Sequence, residues 1–226
     1  MNVEEFYDSI SKEYADLLDR TIPRYREMLS TLFHYIPDDF APKNILELGC
    51  GTGNLTEQII HRYPASMLTV VDLSSEMIEA CRSRFKSINS ISYDQTDFRN
   101  LKYEGNSFDL VISSISIHHI ADSDKQLLFD KVYSFIKPNG VFTFADQCKG
   151  STTEIYQKHM DAWKREAFKL GSTGEDWNIW MDHQERHDFH AAAEDQLIWL
   201  TDASFKNIDI VWRNLLWTVF YAEKSK

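Results

Sequence analysis

What this chain lacks first is grouped positive charge. Lys and Arg number 24 against 35 Asp and Glu, a formal net charge of −11. A protein that lies along a nucleic acid neutralises phosphates with clustered cations. The densest groups here, Arg82/Arg84/Lys86 and Lys164/Arg165/Lys169, are short and interrupted and read as solvated helix faces. DNA is therefore not expected as a partner, and tRNA is disfavoured. Long apolar runs are also missing: none approaches the roughly 18 residues of a membrane-crossing helix, so no membrane partner is expected. The start, Met1-Asn-Val-Glu-Glu5, has neither the basic beginning nor the apolar centre of a signal peptide. Cysteine is scarce, and Cys50, Cys81 and Cys148 include no Cys-x-x-Cys pair. The expectation is a reduced, cytoplasmic protein.

Enough apolar sequence remains to build one core. With 43% hydrophobic residues over 226 positions, the chain suits a single domain over 1–226 and is short for two. Apolar runs at 45–48, 67–71, 91–96, 108–113 and 140–146 alternate with helical patterns, the last after a turn at Lys137-Pro-Asn-Gly140. That alternation predicts an α/β fold with a doubly wound parallel sheet, whose ligands sit at the C-terminal ends of the strands.

Glycine is sparse too, yet three of the eight glycines crowd into Gly49-Cys-Gly-Thr-Gly53, between the first run and a helical pattern from Leu55. Strand, glycine turn and helix make a cradle where backbone approaches a ligand at a helix N-terminus. The dinucleotide fingerprint G-x-G-x-x-G would need glycine at Asn54. The spacing here is G-x-G-x-G, with Glu47 two residues upstream. It resembles motif I of the class I S-adenosylmethionine (SAM)-dependent methyltransferases, E/D-x-G-x-G-x-G.

That resemblance implies SAM as cofactor, held by Glu47, Gly49, Cys50, Gly51 and Gly53. Asp72, at the end of the second run, would take the ribose hydroxyls, beside Leu73 and Met77. Asp97-Phe98 would meet the adenine, with Ser113 at the end of the fourth run. Runs at 206–212 and 216–222, joined by a turn at Arg213-Asn-Leu215, would supply the antiparallel strand of a seven-stranded, mostly parallel sheet. Ahead of them, Ala203-Ser-Phe205 stands where the family often has Ala-Gly-Phe, so this helix end must be capped differently.

Two helical regions flank the sheet. Residues 1–38 read as an N-terminal cap. One helix over 4–18 carries Phe6, Ile10 and Leu17 on one stripe and Tyr7, Tyr14 and Leu18 on another. A second has Pro23 in its first turn and ends at Pro37. By resemblance, Tyr7 and Tyr14 would close over SAM. Residues 150–195 read as a lid inserted after the fifth strand. Ser151-Thr-Thr-Glu154 has capping-box form, and Tyr156, Met160, Trp163, Ala167 and Leu170 form one helical stripe. Trp163 reads as packing; Trp177, Trp180, His183 and His187 are candidates for lining a substrate pocket.

Methyl transfer needs an acceptor held in line with the sulfonium and often a base. Candidate catalytic groups are His119, then His118, with Asp146 at the end of the fifth strand. His183, His187 and His190 fall at i, i+4 and i+7, so one helix would place all three on a face compatible with zinc or iron. The H-E-x-x-H pattern is not met, however, and Asp182 and Asp188 suit ion pairs on a solvated helix. No metal is expected at the site. Ser113-Ser-Ile-Ser116 replaces the Asn/Asp-Pro-Pro-Tyr/Phe of enzymes that methylate DNA amino groups, and Cys148 lacks the Pro-Cys context of cytosine C5 enzymes. The expected partner is a small-molecule methyl acceptor at O, N or S, with a homodimer left open. The alternatives are a tRNA-modifying enzyme, one handling carboxylated SAM, or a non-catalytic SAM binder.

Overall fold

The structure is a computed structural model describing residues 3–10 and 14–226. Its centre is a sheet. Strands β1 (Asn44–Leu48), β2 (Met67–Asp72), β3 (Ile91–Gln95), β4 (Phe108–Ser114) and β5 (Ile136–Lys149) pair in parallel in the order β3-β2-β1-β4-β5. A two-residue strand, β6 (Ala191–Ala192), pairs with the end of β5. Two further strands, β7 (Lys206–Asn214) and β8 (Trp217–Glu223), close the far edge. The sheet ends β5-β8-β7, with β8 antiparallel to both neighbours. The winding reverses between β1 and β4, which opens a crevice at their C-terminal ends.

Alternate residues of each strand point to opposite faces. Ile45, Val70, Leu110 and Ile112 enter one core, where helices α3 (Tyr25–His34), α4 (Asn54–Arg62) and α5 (Ser75–Arg84) bring Met28, Leu32, Leu55, Ile59 and Met77. Leu46, Leu48, Val111 and Phe142 enter the other, against Leu128, Phe129 and Val132 of α6 (Asp122–Phe135) and Leu200 of α9 (Ala193–Asp202). Among the described residues no helix is long and apolar enough to cross a membrane.

Several local expectations are corrected. The segment 4–18 is described as two helices, α1 (Val3–Ile10) and α2 (Tyr14–Thr21); residues 11–13 and the side chain of Ile10 lie outside the described residues. Helix α3 starts at Tyr25, after Arg24 at φ 60, so Pro23 precedes the helix instead of opening it. Lys137-Pro-Asn-Gly140 is a bulge inside β5: Phe108 pairs with Ile136 and Leu110 with Val141, and Asn139 takes φ 63. Such a bulge lets a strand carry extra residues without ending. The β7–β8 turn centres on Leu215, at φ 56, slightly beyond the expected place. Ser204 adopts the left-handed conformation despite its Cβ (φ 79), with Phe205 N donating to Leu200 O and Ser204 N to Thr201 O. That is a Schellman end without glycine.

The insert forms α7 (Thr153–Lys169) and α8 (Gly174–His187). Thr152, not Ser151, caps α7, while Thr173 and Asp176 make a capping box on α8. Both helices pack on α2. Trp163 Nε1 donates to Thr21 O at 2.8 Å, and Arg20 forks onto Asp176 with both contacts at 3.1 Å. Trp163 stacks edge-on against Trp177 and Trp217, so it is indeed core.

Candidate active site

A cavity of about 380 Å³ opens at the crevice between β1 and β4. Its floor is the glycine turn. Gly49 N and Cys50 N donate to Val71 O at 2.8 and 3.0 Å, which ties the turn to β2. Gly49, Gly51 and Gly53 all have positive φ, of 75°, 50° and 91°. A Cβ at Gly49 would run into the Ser116 side chain, and one at Gly51 would stand 3.3 Å from the Tyr14 ring. Ser116 Oγ in turn donates to Leu48 O at 3.0 Å, so the loop after β4 rests on the turn. Ile115, β-branched yet at φ 53, lines the cavity beside it. Strain of that kind concentrates at functional sites.

Asp72 is the acidic wall. Its Oδ2 accepts from Gly51 N at 2.8 Å and its Oδ1 from Ser74 N at 3.0 Å. Burial raises its carboxyl above the ordinary range, and those two N–H groups oppose the rise. Tyr7, Tyr14, Gly49, Cys50, Gly51, Asp72, Leu73, Met77, Asp97, Phe98 and His119 line one cavity. Glu47, Gly53 and Ser113 do not line it. Glu47 is fully buried under the turn, where Oε2 accepts from Thr56 Oγ1 at 2.7 Å and burial raises its carboxyl well above normal. Gly53 makes room for Phe85, 2.5 Å from where its Cβ would be. Ser113 Oγ donates to Leu48 O at 2.7 Å. All three shape the turn from behind. Asp97 lines the cavity, but its carboxylate is forked by Arg99, which holds it below the ordinary range.

At the cavity's other end, Tyr7 Oη and His119 Nε2 are 2.8 Å apart. His119 belongs to a buried polar cluster. The loop after α8 is held by Phe189 N donating to His118 O at 2.7 Å and by Lys125 Nζ bonding Phe189 O. This places Asp188 against the imidazoles of His118, His119, His183 and His190. His118 Nδ1 meets Asp146 Oδ1 at 2.5 Å, and Tyr156 Oη lies 2.8 Å from His190 Nδ1. Burial and the neighbouring His119 ring push His118 below the usual histidine range, and burial takes His183 down to about 3. Burial would raise Asp188, but the surrounding imidazoles hold it well below the carboxylate range.

Residues 45–140 match the family model of a methyltransferase domain. A phosphoethanolamine N-methyltransferase 2 from Haemonchus contortus, solved with SAM, superposes over 100% of this chain and 60% of its own (TM-score 0.73, 17% identity). This chain has the class I, Rossmann-like SAM-dependent methyltransferase fold. In sequence it is 32% identical over 131 residues to malonyl-[acyl-carrier protein] O-methyltransferase 2 of Ilyobacter polytropus, covering 58% of this chain and 49% of that protein. It is 26% identical over 149 residues to a carboxy-SAM synthase of Shewanella loihica, covering 63% and 60%. The chain thus spans about half to three fifths of the length of these curated relatives.

SAM fits this cavity by its own chemistry. The turn accepts no Cβ where ligand backbone contacts are needed, Asp72 offers a buried carboxylate to a diol, and Leu73, Met77, Phe98 and Ile120 offer apolar sides to a ring. The lid departs from expectation. Trp177, Trp180, His183 and His187 do not line this cavity: Trp177 packs on Trp163, Trp180 lies near Phe6 and His183, and His187 flanks His183. Nor do the three lid histidines share a helical face, because α8 stops at His187 and His190 lies beyond it. His118 and Asp146 sit behind His119, outside the cavity lining. Sequence reading missed Tyr25, Asn54, Ile115 and Ser116 as lining residues, and Asp188 as a hub; an aspartate within a histidine-rich run was the one available signal for the last.

Proposed function

We propose that this chain transfers the methyl group of SAM to a small-molecule O, N or S acceptor held at Tyr7 and His119. The observation that carries the reading is the 2.8 Å Tyr7–His119 contact on the wall of the same cavity that the glycine turn and Asp72 line. SAM supplies an activated methyl electrophile. Asp72 and the turn hold its ribose and amino-acid end, and Leu73, Met77 and Phe98 enclose its base. Tyr14, packed over Gly51, keeps water from the turn. Tyr7 keeps its proton, since burial raises the phenol well above its usual range, so it serves as a hydrogen-bonding handle rather than a phenolate. With His119 it orients the acceptor heteroatom toward the methyl group. Orientation of this kind supplies much of the advantage of an enzymatic methyl transfer.

Likeness to both an O-methyltransferase and an N-methyltransferase supports methyl transfer to a heteroatom. A carboxylated SAM calls for a cation to meet its carboxylate. Among the described residues lining the cavity, Arg99 is the one lysine or arginine, and its guanidinium is forked on Asp97. That favours SAM itself. Thermal unfolding with S-adenosylhomocysteine (SAH) tests the cofactor, because a ligand of the folded state raises the melting temperature. A rise of several degrees at millimolar SAH is expected, and a flat response would sink the reading. Transfer of tritiated methyl from SAM across a panel of small alcohols, amines and thiols then identifies the acceptor.

A further inference from the structure

Behind the cavity wall, five side chains converge on one point. Asp188 Oδ1 lies 3.1 Å from His119 Nδ1, 3.5 Å from His183 Nε2 and 3.8 Å from His118 Nε2. Its other oxygen lies 3.4 Å from His190 Nε2. One ligand atom each from His118, His119 and Asp188 falls within 4.8 Å of the others. Ligands about 2.0–2.1 Å from a tetrahedral zinc stand roughly 3.3 Å apart, and the 3.1, 3.5 and 3.8 Å from Asp188 Oδ1 to His119, His183 and His118 lie close to that spacing.

Three further observations separate a metal site from a packed polar core. Asp188 Oδ1, His119 Nδ1, both His183 nitrogens and His190 Nε2 are buried without an aligned hydrogen bond, although they crowd together. Native interiors rarely leave so many buried polar atoms without a well-aligned partner. Next, the histidines are gripped from behind: His118 Nδ1 by Asp146, His119 Nε2 by Tyr7 and His190 Nδ1 by Tyr156. Outer-shell bonds of this kind fix the tautomer that turns a free nitrogen to a metal. Finally, two carboxylates, Asp146 and Asp188, are nearly sealed from solvent, at 1% and 4% side-chain exposure. Among the described residues the side chains paired with Asp188 are imidazoles.

We propose that His118, His119 and Asp188, with His183 and His190 at the rim, bind one divalent first-row transition metal ion, zinc by the nitrogen-rich donor set. Two histidines and one carboxylate with flanking imidazoles suit such ions better than magnesium or calcium, which prefer all-oxygen shells. An ion on His119 Nδ1 leaves the proton on Nε2, so His119 donates to Tyr7 and the phenol hydrogen is free for the acceptor. The site thereby orders the Tyr7–His119 handle from the rear. The inference stands on the cluster's own geometry and not on the acceptor.

The 226-residue chain, purified without chelator or histidine tag, is examined for metal by plasma mass spectrometry. It is then stripped and titrated with Zn²⁺, Co²⁺ and Mg²⁺. We expect one equivalent of transition metal, a visible Co²⁺ absorption band displaced by Zn²⁺, and no Mg²⁺ binding. Asp188→Asn and His118→Gln should each weaken Co²⁺ binding at least about tenfold, the usual scale for loss of a ligand or its support. Each variant's SAH-induced melting shift shows that it is folded. If one variant does not fold, His190→Gln replaces it. Folded wild-type protein that responds to SAH but takes up neither Zn²⁺ nor Co²⁺ overturns the site, as does Co²⁺ binding indifferent to these substitutions. Metal uptake without a response to SAH would overturn the cofactor reading alone.

Discussion

The carboxylate of Asp72 is bonded to the very turn it faces, its Oδ2 accepting the Gly51 N–H at 2.8 Å. One side chain therefore sets the shape of the cradle and presents negative charge to its ligand. Asp72→Ala should weaken SAH binding roughly 10- to 100-fold by calorimetry, the size of one or two hydrogen bonds to a charged group. Asp72→Asn should lose less, because it keeps an acceptor for Gly51. Unchanged affinity in Asp72→Ala would remove the residue from the cofactor site.

Gly51 allows a sharper test. At φ 50, with the Tyr14 ring 3.3 Å from the position of a Cβ, Gly51→Val adds backbone strain and fills the cradle. The variant should lose the SAH-induced rise in melting temperature altogether. Its own melting temperature should fall by only a few degrees, matching about 1–2 kcal/mol of local strain.

For the acceptor end, Tyr7→Phe should lower kcat roughly tenfold and His119→Ala about 100-fold, on the scale of a misplaced reactant. SAH affinity should change less than turnover in both. Steady-state kinetics with the identified acceptor separates the effects, and a change confined to a raised KM for SAM would move Tyr7 to the cofactor side.

The strap from Arg20 to Asp176 predicts an acid limb. The Arg20 hydrogen bonds lower the Asp176 carboxyl from 3.8 to about 2. Between those values the unfolded state holds more protons, so stability rises with pH. The pair's contribution is complete above about pH 4 and is lost as pH falls toward 2. Arg20→Gln should cost about 1 kcal/mol at pH 7 after allowance for solvent screening. In urea unfolding, the gap between wild type and variant should close near pH 2; a gap that widens on acidification contradicts the assignment.

Ser204 offers a gain. It holds the left-handed position of a Schellman end at φ 79, where glycine pays no Cβ penalty. Ser204→Gly should raise stability by about 1 kcal/mol, or a few degrees for a domain of this size. A loss in calorimetric melting would mean the serine hydroxyl matters there.

The five parallel strands were legible because each is a short apolar run between helical patterns, and the glycine turn because its spacing leaves so few alternatives. Most of the left-handed residues escaped notice. Arg24, Ile115 and Leu215 carry ordinary side chains, and only the surrounding packing holds them there; Ser204 stood out as a missing glycine, yet keeps the left-handed conformation a glycine would take. Within the site, Asp72 and Gly51 could be placed because they are close in sequence to strand ends. Ile115 and Ser116 lie as near the end of β4 but carry no glycine or acid to mark them, and Tyr25 reaches the cavity from a helix whose path depends on distant contacts.

The sequence by itself determined the winding of the sheet, the place of its crevice and the cradle at Gly49–Cys–Gly51, all consequences of local pattern. The lid was another matter. A spacing of i, i+4, i+7 promised three histidines on one helix, yet α8 ends at His187 and the following loop turns Asp188 and His190 inward. His118 and His119 arrive from the end of β4, some seventy residues earlier. Only tertiary structure could bring these groups around one buried point, because what holds them there is burial between two distant segments and not periodicity in either.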